Sequence, residues 1–168
     1  MSLSQAIQFT LVSEGGYTVD DGGDTMYGVT QSTYDQYRNE HGLPKQWVKK
    51  ITLDEVENIM QFEYWTPAGC GLLNTKLGIA HFDWAYNHGV HGAVMDLQSV
   101  LGITADGIIG PETTNAFKNA DDSIVAPYLQ RRVDTYKELA TVNPAEYGEY
   151  LDGWLNRVDR LRAYLGPL

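Results

Sequence analysis

At 168 residues and 43% apolar content, the chain can bury a core as one domain, or as two lobes sharing a cleft. A formal charge of −10 argues against nucleic acid and anionic lipid as partners, and no run approaches the roughly 20 apolar residues of a membrane span. The one cysteine, Cys70, rules out an internal disulfide and fits a reducing compartment, with burial as a small hydrophobe its ordinary fate.

The first element is a helix. Ser2 to Gln5 has the Ser-x-x-Gln form of a capping box, and Leu3, Ile7 and Leu11, with Ala6 and Thr10 beside them, trace one buried stripe. Glu14 falls three residues beyond Leu11 on the same stripe, so its carboxyl is expected on the core side. Partial burial would raise its pKa, as a general acid requires. Gly15 and Gly16 then end the helix. The loop that follows holds Asp20, Asp21, Gly22, Gly23 and Asp24. It lacks the lysine of a phosphate loop and the closing glutamate of a calcium loop. A solvated acidic turn, a carboxylate active site and a metal site all remain open from composition. A small hairpin is expected between Tyr17 and Val29.

The rest of the chain reads as helices with short connectors. Thr52 to Glu55 forms a capping box, and Leu53, Val56 and Met60 carry a stripe towards Trp65, where Pro67 and Gly69 stop it. Residues 77–88 read as a buried central helix, and 93–101 as another, ended by Gly102. Pro111 and Pro144 sit where a first helical residue is expected, the latter after Asn143 as a cap. Long helices are expected over 124–140 and 146–164. The architecture is therefore mainly α, with no linker or repeat.

Several residue groups admit two readings. His81, His88 and His91 invite a zinc site, but no His-Glu-x-x-His pair is present. Asn87, ahead of Gly89, either bonds a backbone turn or touches a ligand. Tyr27, Tyr64, Trp65 and Trp84 offer flat faces; Tyr27 is assigned to a cleft and Trp84 to the core. Arg131, Arg132, Arg157, Arg160 and Arg162 read as a solvated helical face. Asp106 to Pro111 reads as a structural turn, with Ile108 and Ile109 tucked beneath it.

Taken in order, these motifs resemble a known family. Glu14-Gly15-Gly16-Tyr17, then Asp20, Gly22, Gly23, Thr25, Gly28 and Thr30, is similar to the opening of glycoside hydrolase family 108, lysozyme-like N-acetylmuramidases of phages, prophages and secretion loci. Tyr64-Trp65 and Phe82-Asp83-x-Ala85-x-Asn87-x-Gly89 resemble the family's later motifs. Leu97-Gln98, the turn from Asp106 to Thr113, and Gly153 to Val158 resemble its appended predicted peptidoglycan domain.

The resemblance implies a lysozyme-like unit over 1–168, with a catalytic region over 1–90 and a helical peptidoglycan-domain-like region over 91–168. It implies Glu14 as the acid, with Asp20 and Thr25 beside it, and Tyr17, Asp21, Asp24, Tyr27 and Asn87 as substrate contacts. Asp21 stands where the family usually has proline, and Asp24 adds another acid, so a neighbour could take over the role of Asp20. The implied substrate is bacterial peptidoglycan, acted on by a monomer without metal or other cofactor. The N-terminus shows no basic stretch followed by an apolar one, so no secretion signal is expected. An enzyme made in the cytoplasm would then reach the wall after lysis, by holin passage or by dedicated secretion. The rival reading is a wall-binding or secretion-assembly protein that keeps the shape without turnover.

Overall fold

The computed structural model describes residues 2–167 except Gly15, Asp21 and Gly22, and for Ser2, Ser13, Glu14 and Asp20 it describes the backbone course alone. Helix α1 spans Ser2–Glu14. It already includes Ser2, so the Ser-x-x-Gln pattern lies within its first turn and not at its flank. Burial centres on Ala6, Ile7, Phe9 and Thr10, while Leu3 and Leu11 are only partly covered. The small side chains Ala6 and Thr10 lie where α1 packs on the central helix, which shifts the buried stripe from the one the leucines suggest.

The expected hairpin is a three-stranded antiparallel sheet, β1 (Tyr17–Asp20), β2 (Gly23–Met26) and β3 (Val29–Thr30), in that order. Met26 pairs with Val29 across a two-residue turn in which Tyr27 (φ 54°) and Gly28 (φ 79°) are both left-handed. Two positive φ values in succession match the twist of the strands they join, and glycine serves the second at no steric cost.

Helix α2 (Gln31–Glu40) was not anticipated. Its buried face consists of Tyr34, Tyr37 and Arg38, so no aliphatic periodicity announces it. Arg38 donates to Glu55 (2.7 Å) and to the Tyr34 hydroxyl (2.9 Å), which in turn donates to Glu55 (2.8 Å). Glu55 also closes the expected capping box with Thr52 at the start of α3 (Leu53–Met60). Val56, Ile59 and Met60 form the buried face of α3, whereas Leu53 points outward. The helix runs on through a π turn, Gln61–Trp65, closed by Thr66 N–H donating to the Gln61 carbonyl (2.9 Å).

Helix α4 (Thr75–His88) is the axis of the molecule; every residue from Leu77 to Ala85 is buried. Helix α5 (Val90–Val100) begins three residues before the expected start, directly after Gly89. Then come α6 (Pro111–Asn119) and α7 (Val125–Val142). The expected final helix is broken: α8 (Pro144–Tyr147) and a 3₁₀ turn, Gly148–Tyr150, precede α9 (Leu151–Leu165). Asn143 makes no side-chain cap at α8. One continuous apolar core runs from Ala6 to Leu165 around α4.

Two arginines expected on a solvated face are inside that core. Asp83, fully buried, is bonded by Arg132 (2.6 Å, α7) and Arg157 (2.7 Å, α9), and Thr10 of α1 donates to it at 3.3 Å. Burial would raise the Asp83 pKa, but the two guanidiniums outweigh it and hold the carboxyl below its ordinary value. Four helices are thus tied to one carboxylate. Arg131 likewise bonds Asp96 (2.8 Å), which accepts from the Trp84 indole (2.9 Å). Trp84 lies in the core, as expected.

The Asp106 turn is built around the buried amide of Gln98. Its Nε2 donates to Asp106 Oδ1 (3.1 Å), the Ile108 carbonyl (3.0 Å) and Thr113 Oγ1 (2.9 Å), and its Oε1 accepts from Gly107 N–H (2.8 Å). The motif is structural, with one correction: Ile108 is 64% exposed, and Ile109 alone of the pair packs on the core.

Candidate active site

Glu14 is the last residue of α1, one helical turn beyond Thr10. The Thr10 to Asp83 bond fastens α1 to α4, and the chain then enters β1. The last turn of α4 reaches the same sheet, where the Tyr86 hydroxyl donates to the Tyr27 carbonyl at 3.1 Å. The C-terminal ends of α1 and α4 and the hairpin turn therefore share one end of the molecule. Tyr27 is half-buried there and packs against the core.

The sheet sorts the expected loop residues. Asp20 takes the register position opposite Gly23, Thr18 pairs with Thr25, and Val19 pairs with Asp24. Asp21 lies outside the described residues. Adjacent residues of a strand point to opposite faces, so Asp24 and Thr25 do not line the same surface. Thr25 Oγ1 makes a long 3.4 Å contact with the Gly23 carbonyl. Asp24 accepts from the Trp47 indole N–H at 2.5 Å. Partial loss of hydration, then the neighbouring Asp24 carboxylate, hold the Tyr17 phenol above its ordinary pKa.

Tyr17 meets Trp47 edge-on with ring centroids 5.7 Å apart. The Lys49 ammonium lies 4.7 Å from the Tyr17 ring and 5.3 Å from the Trp47 ring. Reasoning from motifs missed Trp47 and Lys49; an aromatic amid lysines, Lys45-Gln46-Trp47-Val48-Lys49-Lys50, is the signal that could have found them.

Asn87 sits on the last turn of α4, and its Nδ2 donates to the Asp83 carbonyl one turn back in the same helix (2.7 Å). It also lines a 270 Å³ groove with His88, Tyr136 and Trp154. The histidines of α4 are occupied separately. His81 Nε2–H donates to the Ala68 carbonyl (3.0 Å), which leaves Nδ1 to accept from the Tyr128 hydroxyl (2.6 Å). Burial pushes its pKa down to about 4. His88 stacks on Trp84 at 4.2 Å. Among the described residues, no group of three or more His, Cys, Asp or Glu side chains is placed to hold a metal ion.

A helix ending at a glutamate, a short antiparallel sheet and a helical body around a buried central helix define a lysozyme-like fold. Residues 7–89 match the family model described as glycosyl hydrolase 108, and residues 92–159 match the one described as predicted peptidoglycan domain. The chain is accordingly a lysozyme-like, peptidoglycan-active protein that joins a glycosyl hydrolase 108 region to a peptidoglycan domain. It is similar to the solved structure of Brucella abortus SagA, with a TM-score of 0.79 and 29% identity over 97% of this chain and 92% of that one. No curated protein sequence matches it.

Proposed function

We propose that the protein is an N-acetylmuramidase that cleaves the β-1,4 bond between N-acetylmuramic acid and N-acetylglucosamine. The observation that carries this reading is the position of Glu14: it closes α1 immediately before the hairpin, within the stretch that matches a glycoside hydrolase family. Glu14 protonates the leaving oxygen. Asp20 or a neighbouring hairpin carboxylate supports the oxocarbenium-like state or a water, and Thr25 helps to place that water. The peptidoglycan domain, tied to the hydrolase region through Asp83, makes one working unit with it. The enzyme acts on the wall as a monomer after lysis, holin passage or dedicated secretion, in the manner of an endolysin.

The test is digestion of purified peptidoglycan followed by analysis of the new ends. New reducing muramic ends are expected, with activity unchanged by exhaustive EDTA treatment and dialysis. New amino groups without reducing ends would replace the muramidase by a peptidase. Binding without any new ends would replace it by the wall-binding reading.

A further inference from the structure

Trp47 is 46% exposed, yet its indole N–H is fixed by Asp24 and its edge by Tyr17. A large flat ring left half in solvent but locked in orientation has the character of a contact surface, since the ordering needed to bind has already been met. It borders an open groove of about 430 Å³ lined also by Asp24, Gln31, Asp35, Lys45 and Gln46. The turn that follows it, Val48–Lys50, packs on β2, and Trp47 itself lies on the Asp24 face of that strand, opposite the face of Thr25.

The charge distribution singles out the same place. The hydrolase region holds five cations, Arg38, Lys45, Lys49, Lys50 and Lys76. Arg38 is buried against Glu55 (2.7 Å), and Lys76, at the far end of α4, reaches Asp122 (3.7 Å) in the other half of the chain. The remaining three flank Trp47 and are exposed, with Lys45 3.4 Å from Asp35. On a protein of net charge −10 these three cations outnumber the two carboxylates, Asp24 and Asp35, that line the groove, which leaves a small local positive excess beside an aromatic platform. Peptidoglycan combines N-acetylated sugar rings with carboxylates on its peptide stems.

We propose that Trp47 is a platform for a sugar ring of the glycan and that Lys45, Lys49 and Lys50 pair with carboxylates of the peptide stems. The proposal rests on peptidoglycan being the substrate. It explains how an acidic protein engages an anionic wall: local pairing overrides bulk repulsion because surface charges are screened beyond roughly 10 Å at 0.1 M salt.

The test uses the full chain carrying Glu14→Gln, so that turnover cannot disturb binding, and two insoluble probes pelleted with the protein. Purified peptidoglycan has both sugar and carboxylates; chitin has the N-acetylated sugar alone. Trp47→Ala should weaken binding to both probes about tenfold, and Trp47→Phe, which keeps a ring, should weaken it less. The double Lys45→Gln, Lys50→Gln variant, which leaves Lys49 on the Tyr17 and Trp47 rings, should weaken binding to peptidoglycan alone, with the difference vanishing at high salt. Melting curves confirm that each variant is folded. Trp47→Phe and Trp47→Ala binding both probes as tightly as their parent would overturn the platform, and equal lysine effects on chitin and peptidoglycan would overturn the pairing. Because pelleting reads binding and end analysis reads cleavage, this inference and the muramidase reading fail by different results.

Discussion

Two carboxylates of this protein show how differently its interior and its hairpin surface are built. Asp83 is fully buried, bonded by two arginines and a threonine, and joins helices from both halves of the chain. Asp24 lies on a surface strand, bonded to the indole of Trp47, which is itself open to solvent, with the Tyr17 phenol nearby. Both belong to stretches that resemble family motifs, yet one carboxylate has no coordination left to offer a ligand and the other faces a groove. A motif residue is a candidate for chemistry when the fold leaves it reachable. By that criterion the hairpin end is the candidate for the chemistry proposed above, and the Asp83 cluster is the joint that holds it.

The sharpest way to break the comparison is to cut the joint. Asp83→Ala strands two buried guanidiniums, and breaking such a pair from one side costs about 3–5 kcal/mol. For a chain of this size that lowers Tm by roughly 6–20 °C. Calorimetry on the purified variant checks this, and a Tm within about 2 °C of the parent would remove Asp83 from its structural role.

Acid titration probes the same core at a second place. His81 has a folded pKa of about 4 against about 6.5 unfolded, so the unfolded chain binds more protons between those values. Stability is then full above about pH 6.5 and falls as pH drops towards 4, by on the order of 3 kcal/mol from this residue. The Asp83 carboxyl adds a loss at still lower pH, because its depressed pKa favours folding above the unfolded value. Urea midpoints from pH 7 to 4 measure the slope. In His81→Gln the slope between pH 6.5 and 4 should flatten; an unchanged slope would place the titration elsewhere.

How much of this division the sequence carried depended on the residue. The end of α1 at Glu14, the hairpin and the central helix were legible, because glycine placement and helical periodicity are local signals. Helix α2 was not, since its buried face is tyrosine and arginine. Arg132 of α7 and Arg157 of α9 looked solvated because their partner, Asp83, lies 49 or more residues away in sequence. The separation of Asp24 from Thr25 was hidden for a different reason: a run of acids looks like one site until a strand register splits it between two faces. Trp47 belonged to no motif, and only the fold brings it to β2.

The hairpin acids sharpen the other side. Asp20→Asn should lower turnover roughly 100-fold, the scale of one lost electrostatic stabiliser. Asp24→Asn should cost about tenfold or less, through a loosened Trp47, and show more in KM than in kcat. Asp21→Asn should cost least. Rates on purified peptidoglycan decide it: a larger loss at Asp21 than at Asp20 would mean the second carboxylate sits one residue on, and equal modest losses would mean a diffuse field.

The most direct test of the hairpin end is Glu14→Gln, read twice on the same preparation. The amide keeps the size of the side chain but cannot donate an acidic proton. Release of muramic reducing ends should fall at least 100-fold, in line with general-acid contributions, while Tm stays within about 2 °C of the parent, well short of the shift expected for Asp83→Ala. A folded Glu14→Gln protein that still opened peptidoglycan at near the parental rate would contradict the account.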